Sequence, residues 1–193
     1  MSRIILASAS PRRRELLAQI GLKCEVVPSD VVEEAQALAP EELAEHLAVL
    51  KAQDVAGSFT GEGYVIGADT LVVLDGVIYG KPVDRKDARR MLLHLQGREH
   101  QVITGLAVIR LEDGKLLRGH EITRVSIRPL NIGEIEAYIA TGEPMDKAGA
   151  YAVQGRAAMF IPRINGCYFN VVGLPLARLM DMLNAAGWSA GHA

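Results

Sequence analysis

The chain has 193 residues, of which 49% are apolar and 23% charged, and its formal net charge is −2. This is globular rather than disordered composition, and the length fits one domain of ordinary size or two small lobes sharing a core. The balance excludes a global basic field for holding a nucleic-acid backbone, and no apolar run approaches the roughly 18 residues needed to span a membrane. Two cysteines, Cys24 and Cys167, form no disulfide framework and no CxxC zinc pair, as expected in a reducing compartment. Met1 to Leu6 is too short and too quickly followed by charge to read as a signal peptide, so a cytoplasmic location without membrane association is expected.

In chain order, Ile4 to Ala7 reads as a buried strand. Ser10 and Pro11 mark a helix start, Leu16, Leu17 and Ile20 give that helix a buried stripe, and Gly21 ends it. A second strand is expected from Cys24 to Pro28. Pro40-Glu41-Glu42 opens a longer helix that stops before Gly57. Tyr64 to Leu74, the turn Asp75-Gly76 and Val77 to Tyr79 form the strongest hairpin signal in the chain. Asp84 and Asp87 start another helix, closed by Gly97. Strands from Gln101 to Leu111 and Leu117 to Arg128 flank the turn Glu112-Asp113-Gly114. In the second of them Thr123, Val125 and Ile127 alternate with Arg124, Ser126 and Arg128, as on a half-solvated sheet. Asn131 and Glu134 predict a capping box for a helix ending at Gly142. A Gly- and Ala-rich segment follows, from Glu143 to Gly155. Ala158 to Ile164 and Tyr168 to Val172 read as strands about a turn at Asn165-Gly166. A last helix begins near Pro175, burying Leu176, Leu179, Met180 and Leu183. With no linker, repeat or low-complexity tract, the pattern predicts α/β or α+β organisation around a mixed sheet.

Chemistry concentrates at a few points. A helix N-terminus presents unpaired backbone N–H groups and partial positive charge, yet Arg12, Arg13 and Arg14 stand in the first turn after Ser8. Cations are unfavourable there unless an anion joins them, and arginine grips phosphate bidentately; the alternative is a solvated basic turn. Lys51 shares a helix face with Leu43, Leu47 and Leu50, so its ammonium either snorkels to water or meets a ligand phosphate. Asp69 lies inside the apolar run Val65 to Val73, where a carboxylate is costly unless it is paired or holds a metal. Gly67 and Ala68 before it leave room for a close ligand.

A two-residue turn at Asp75-Gly76 sets Leu74 opposite Val77 and, counted back, Thr70 opposite Lys81. In that ideal register Lys81 and Asp69 face opposite sides of the sheet. Gly80-Lys81-Pro82 lacks the spacing of a P-loop. Glu33 and Glu34, in a polar loop, read as solvated residues or, with Asp69, as hard oxygen ligands for a divalent cation. The five histidines show no metal spacing and Cys167 no partner base, so they read as structural or surface residues. The segment from Met145 to Gly155 reads either as an ordinary loop or as a wall where backbone and Gln154 approach a flat ligand such as a base.

Taken together, Leu6-Ala7-Ser8-Ala9-Ser10-Pro11-Arg12-Arg13, Leu47-Ala48-x-x-Lys51-Ala52, Gly67-Ala68-Asp69-Thr70, Gly80-Lys81-Pro82, Gly97-Arg98-x-His100-x-Val102-x-Thr104, Glu143 to Tyr151, Gln154-Gly155 and Val171 to Leu176 resemble the Maf family of nucleotide pyrophosphatases over nearly the whole chain. The resemblance implies one Maf-like domain over residues 1–193. Its fold would be α/β, a mixed twisted sheet with flanking helices and two lobes around a deep cleft, akin to inosine triphosphate pyrophosphatase. It implies a homodimer and a divalent metal (magnesium, manganese or cobalt). It assigns Asp69 as proton acceptor, Ser8, Arg13, Glu33, Lys51 and Lys81 to phosphate and metal, with Glu33 and Asp69 as metal ligands, and Arg12, Thr70 and Gln154 to the base.

The Lys-Ala-Gly-Ala-Tyr block with Gln154 resembles the dTTP/UTP branch rather than the branch preferring 7-methyl-GTP. Ala152 stands where that branch usually has glycine, narrowing the implied cleft by a methyl group, and Cys167 where serine or another polar residue is usual. The implied activity is hydrolysis of a nucleoside triphosphate to monophosphate and pyrophosphate, with a role in removing non-standard nucleotides. A nucleotide-binding regulator of cell division, binding without cutting, is the alternative. Stable nucleic-acid binding through Arg12 to Arg14 is not expected, since only 5% of residues are aromatic and stacking platforms are wanting.

Overall fold

The structure, a computed structural model, describes residues 3–32 and 37–189. Seven strands are hydrogen-bonded in the order β2-β1-β3-β5-β6-β7, with β4 on β3. They are β1 (Ile4–Leu6), β2 (Glu25–Val26), β3 (Tyr64–Leu74), β4 (Val77–Tyr79), β5 (Glu99–Arg110), β6 (Leu116–Ser126) and β7 (Arg163–Asn165). β1 runs parallel to β2 and to β3, whereas the β3–β4 and β6–β7 pairs are antiparallel, so the sheet is mixed as expected. The helices are α1 (Pro11–Gln19), α2 (Pro40–Ala56), α3 (Arg85–Leu95), α4 (Ile132–Ala140), α5 (Tyr168–Val172) and α6 (Leu176–Ala185). Among the described residues no helix is long and apolar enough to cross a membrane.

The chain divides into two compact units. The first comprises Met1–Asp69, Thr104–Glu121 and Gly173–Ala193; the second comprises Thr70–Ile103 and Ile122–Val172. Each has a core of its own. In the first, Ile5, Ala7, Val65, Ala107 and Ile109 from the sheet pack with Ala48, Ala52 and Val55 of α2. In the second, Val72, Leu92, Leu95, Val102, Val125, Ile135, Tyr138 and Phe160 pack together.

Helix α2 lies nearly on the strand backbones. A Cβ at Gly67 of β3 would stand 2.1 Å from the Ala48 carbonyl oxygen, and one at Gly105 of β5 would stand 2.1 Å from that of Ala44. The buried stripe of α2 is accordingly Ala44, Leu47, Ala48, Ala52 and Val55, with Leu43 and Leu50 only half-buried. Gly67 therefore makes room for a helix and not for a ligand, which corrects the sequence-based expectation. Small residues on both sides let the two backbones approach where larger side chains would hold them apart.

Most local signals act as their chemistry dictates. Asp84 accepts a bond from the Asp87 N–H, and Asn131 with Glu134 closes a full capping box. The hairpin turn places Asp75 at φ 51° and Gly76 at φ 76°, both left-handed as a two-residue turn of this kind demands. Two expected strands differ. Of Ala158–Ile164 only the end is strand, in β7 (Arg163–Asn165), after a 3₁₀ turn at Arg156–Phe160, and Tyr168–Val172 forms a short helix. In that helix Asn170 is fully buried and donates to the Val102 carbonyl at 3.0 Å and to Thr123 Oγ1 at 2.9 Å, which outweighs the strand preference of its aromatic and β-branched neighbours.

The close approach is testable. Gly67→Ala and Gly105→Ala are each expected to lower unfolding free energy by about 3 kcal/mol in urea titration. Gly57→Ala, whose nearest atoms would be 3.6 Å away, should change it by less than about 1 kcal/mol. Equal losses at positions 57 and 67 would contradict this packing.

Candidate active site

In the first unit, parallel strands β1 and β3 are in register through Leu6 and Ile66, and the Ala7 N–H still bonds the Ile66 carbonyl at 2.8 Å. Ser8 follows two residues past Leu6 and Asp69 three past Ile66, so, although β3 itself continues to Leu74, both lie just beyond the carboxyl end of the parallel β1–β3 pairing. That is where open α/β sheets bind ligands. The chain turns there into α1, with Pro11 at its first position. Ser10 occupies the cap position without capping through its side chain; its N–H donates to Ser8 Oγ at 3.2 Å.

Ser8 Oγ also accepts from Arg13 Nη1 at 3.0 Å, while Arg13 Nε donates to the Gly173 carbonyl at 2.8 Å. Two points of support hold the guanidinium in one orientation at the start of α1. Arg12 beside it is half-buried. The first turn holds no acidic residue, so its arginines add to the helix's own positive end. Such a turn is suited to an anion.

Lys51, on α2, reaches Asp69 with Nζ 2.5 Å from Oδ1. The side chains are 16% and 12% exposed respectively. The lysine of the sequence expectation therefore neither snorkels nor stands alone: it neutralises the carboxylate that the apolar strand would otherwise bury uncompensated. Ser8, Arg12, Arg13, Lys51 and Asp69 all belong to the first unit. Glu33 lies outside the described residues, and among those described no group of three or more His, Cys, Asp or Glu side chains could hold a metal ion. Among the described residues assigned to this site, Asp69 has a hard carboxylate oxygen of the kind a cation such as magnesium takes, and magnesium commonly takes only one or two carboxylates and otherwise binds phosphates and water.

Thr70, Lys81 and Gln154 belong to the second unit. Thr70 is half-buried in β3, and Lys81 is exposed. The β3–β4 register is Leu74↔Val77 as expected, but the ladder ends at Val72↔Tyr79. At Gly80 the carbonyl turns to the Gly149 N–H, 3.1 Å away. The loop before Lys81 is thus tied to the Gly-rich segment rather than to Thr70. Gln154 is exposed, after three buried residues, Tyr151 to Val153.

The second unit also holds partners the sequence did not announce. His100 is 2% exposed, with Nε2 2.8 Å from the Tyr151 hydroxyl. An open cavity of about 330 Å³ lies among Asp75, Glu99, His100, Gln101 and Arg124, and contains none of the expected site residues. Cys24 and Cys167 are both free thiols.

Three comparisons bear on this arrangement. The family model described as Maf-like protein matches residues 3–186. The dTTP/UTP pyrophosphatase of Pelotomaculum thermopropionicum is 54% identical over 190 residues, covering 98% of this chain and 99% of its own. That of Desulforamulus reducens is 52% identical over 188 residues, covering 97% and 98%. Among solved structures, the Staphylococcus aureus Ham1 protein matches with a TM-score of 0.56 at 16% identity, over 95% of this chain and 99% of that one. This last likeness concerns the fold, and agrees with the mixed α/β architecture.

Two outcomes are expected from these environments. Lys51→Met strands the Asp69 carboxylate and should lower unfolding free energy by about 3 kcal/mol, while the double change Lys51→Met, Asp69→Leu should recover most of the loss. Burial pulls the His100 pKa down from 6.5 to about 4. The unfolded chain then takes up this proton before the folded one does. Stability from the neutral imidazole is complete above pH 6.5 and is lost as pH falls toward 4, on the order of 3 kcal/mol in all. Comparing the pH dependence of unfolding in wild type and His100→Asn checks this, since the difference should vanish if His100 titrates normally.

Proposed function

The chain belongs to the Maf family, and from that premise we propose that it is a nucleoside triphosphate pyrophosphatase, hydrolysing dTTP and UTP to the nucleoside monophosphate and pyrophosphate. The reading is supported by relatives at 54% and 52% identity that carry this activity in their names. The structural observation that carries it is the buried Asp69–Lys51 pair within β3, just past the stretch that pairs with β1, in the same unit as the braced Arg13.

Breaking a phosphoanhydride at the α-phosphorus needs a base for the attacking water and positive charge for the departing pyrophosphate. Asp69 is the base. With its Oδ1 held by Lys51, the carboxylate is paired until a phosphate group competes for the ammonium. Lys51 then turns to the triphosphate tail, and the released carboxylate accepts the proton of a water directed at the α-phosphorus. Ser8 and the Gly173 carbonyl orient Arg13, which the resemblance assigns to phosphate. A divalent cation held by Asp69, with Glu33 assigned as second ligand by resemblance, would supply further neutralisation of phosphate charge. The resemblance assigns Lys81 to the tail, and Thr70 and Gln154 to the base. The resemblance implies a homodimer as the working assembly.

Asp69→Asn keeps a hydrogen-bond acceptor for Lys51 but removes the base. Initial rates of pyrophosphate release from dTTP with magnesium should fall by at least about 100-fold, with circular dichroism unchanged. A folded variant retaining near-wild-type turnover would remove Asp69 from this role, and saturable dTTP binding by wild type with no product would replace hydrolysis by regulation.

A further inference from the structure

Gln154 sits in a turn that is held at both feet. On one side, the Ala152 N–H donates to the Tyr138 hydroxyl at 3.2 Å. On the other, the Arg156 N–H donates to Glu143 Oε2 at 3.0 Å. The two holders are themselves joined, for Tyr138 donates its hydroxyl to Glu143 Oε1 at 2.9 Å. One hydroxyl and one carboxylate thus close a circuit around residues 152–156, and the exposed residue between the two feet is Gln154.

The fit leaves little play. A Cβ at Gly155 would stand 2.2 Å from Glu143 Oε1, so the backbone beside Gln154 packs directly on the carboxylate. Tyr138 is 2% exposed and packs edge-on to Phe160, with ring centroids 5.5 Å apart. Burial, and the Glu143 carboxylate beside it, push the tyrosine's pKa up, which keeps its proton available for the bond to Glu143. Glu143 is fixed in turn at the end of α4, where its N–H donates to Thr141 Oγ1 at 3.1 Å. Upstream, Tyr151 meets the buried His100, and Gly149 is tied to Gly80.

We infer that Tyr138 and Glu143 are positioning residues for nucleobase selection: they hold the 152–156 turn so that the Gln154 amide is presented in one place. This rests on the assignment of Gln154 to the base made above. A carboxamide discriminates between bases by which of its donor and acceptor ends meets which edge group. If its backbone wanders, the amide accommodates several bases and the discrimination is lost. The circuit contributes nothing to the charges that grip the triphosphate tail, since Tyr138 and Glu143 direct their polar atoms at backbone N–H groups and at each other.

The experiment measures kcat and KM for dTTP, UTP, dCTP and dATP on Tyr138→Phe, Glu143→Ala, Glu143→Gln and Gln154→Ala. Tyr138→Phe removes one oxygen from a well-packed ring. Its preference for dTTP over dCTP and dATP, as a ratio of kcat/KM, should fall about tenfold, carried by a higher KM for dTTP, with kcat within about twofold of wild type. Glu143→Ala should behave alike. Glu143→Gln keeps an acceptor for the Arg156 N–H and a bond to Tyr138, so it should retain most of the preference. If Gln154→Ala loses selectivity while Tyr138→Phe and Glu143→Ala keep it and merely melt earlier, the positioning role is overturned and the Gln154 assignment stands. If Gln154→Ala keeps wild-type selectivity, the assignment itself fails, and the link from the circuit to base choice fails with it.

Discussion

The contact of helix α2 with the sheet backbone is the constraint from which the catalytic reading follows. With no side chain at Gly67 or Gly105, and with Ala44, Ala48 and Ala52 on the facing helix, the helix settles against β3 and β5 at a distance larger residues would forbid. Lys51 lies one position from Ala52, and Asp69 two positions from Gly67. Near the spot where backbone meets backbone, the ammonium therefore comes within 2.5 Å of the carboxylate. Either side chain alone would be an expensive thing to place in apolar surroundings. The close approach makes them affordable together.

A buried ion pair is weak evidence for stability, because desolvation offsets much of the attraction. An apolar pair of similar volume would serve the first unit's core at least as well. What an apolar pair lacks is chemistry: a carboxylate able to take a proton and an ammonium that a phosphate can draw away. Arg13 shows the complementary arrangement. Two of its hydrogen bonds run to neutral oxygens, those of Ser8 and Gly173, which orient the guanidinium without themselves carrying charge. One cation thus meets an anion, while another is braced by neutral acceptors.

The parts of this arrangement legible in the sequence were those with strong local signals. A carboxylate within an apolar strand, arginines in the first turn of a helix and an Asp-Gly hairpin each carry a physical anomaly or a turn requirement that a single segment displays. The capping box at Asn131 and Glu134 was legible for the same reason, since both of its bonds close within four residues. Partnerships spanning the chain were not. Lys51 read either as a snorkelling lysine or as a phosphate ligand, not as the partner of Asp69, which lies 18 positions away, and Gly67 read as room for a ligand because nothing local says that a helix fills it. Tyr168–Val172 has the composition of a strand, and the bonds from Asn170 to Val102 and Thr123, distant in the chain, favour its helical turn. Glu143 read only as the first residue of a Gly- and Ala-rich segment, since its partners are a tyrosine and a backbone N–H distant in the chain.

That last case bears on how selectivity is built. Lysines and arginines recognise phosphate charge, and every nucleoside triphosphate carries the same tail. They set how fast a triphosphate is cut and say nothing about which one. Choice of base needs neutral donors and acceptors at fixed positions, where a mismatch leaves a polar group unpaired. A surface glutamine is a poor instrument for this, because its side chain has three rotatable bonds and its backbone here sits in a Gly- and Ala-rich segment. Fixing the backbone on both sides removes one source of freedom without restraining the amide itself. The distances around Tyr138 and Glu143 fit that solution: each of their side-chain bonds ends on the main chain of residues 152–156 or on the other holder, and none takes up the side chain of Gln154.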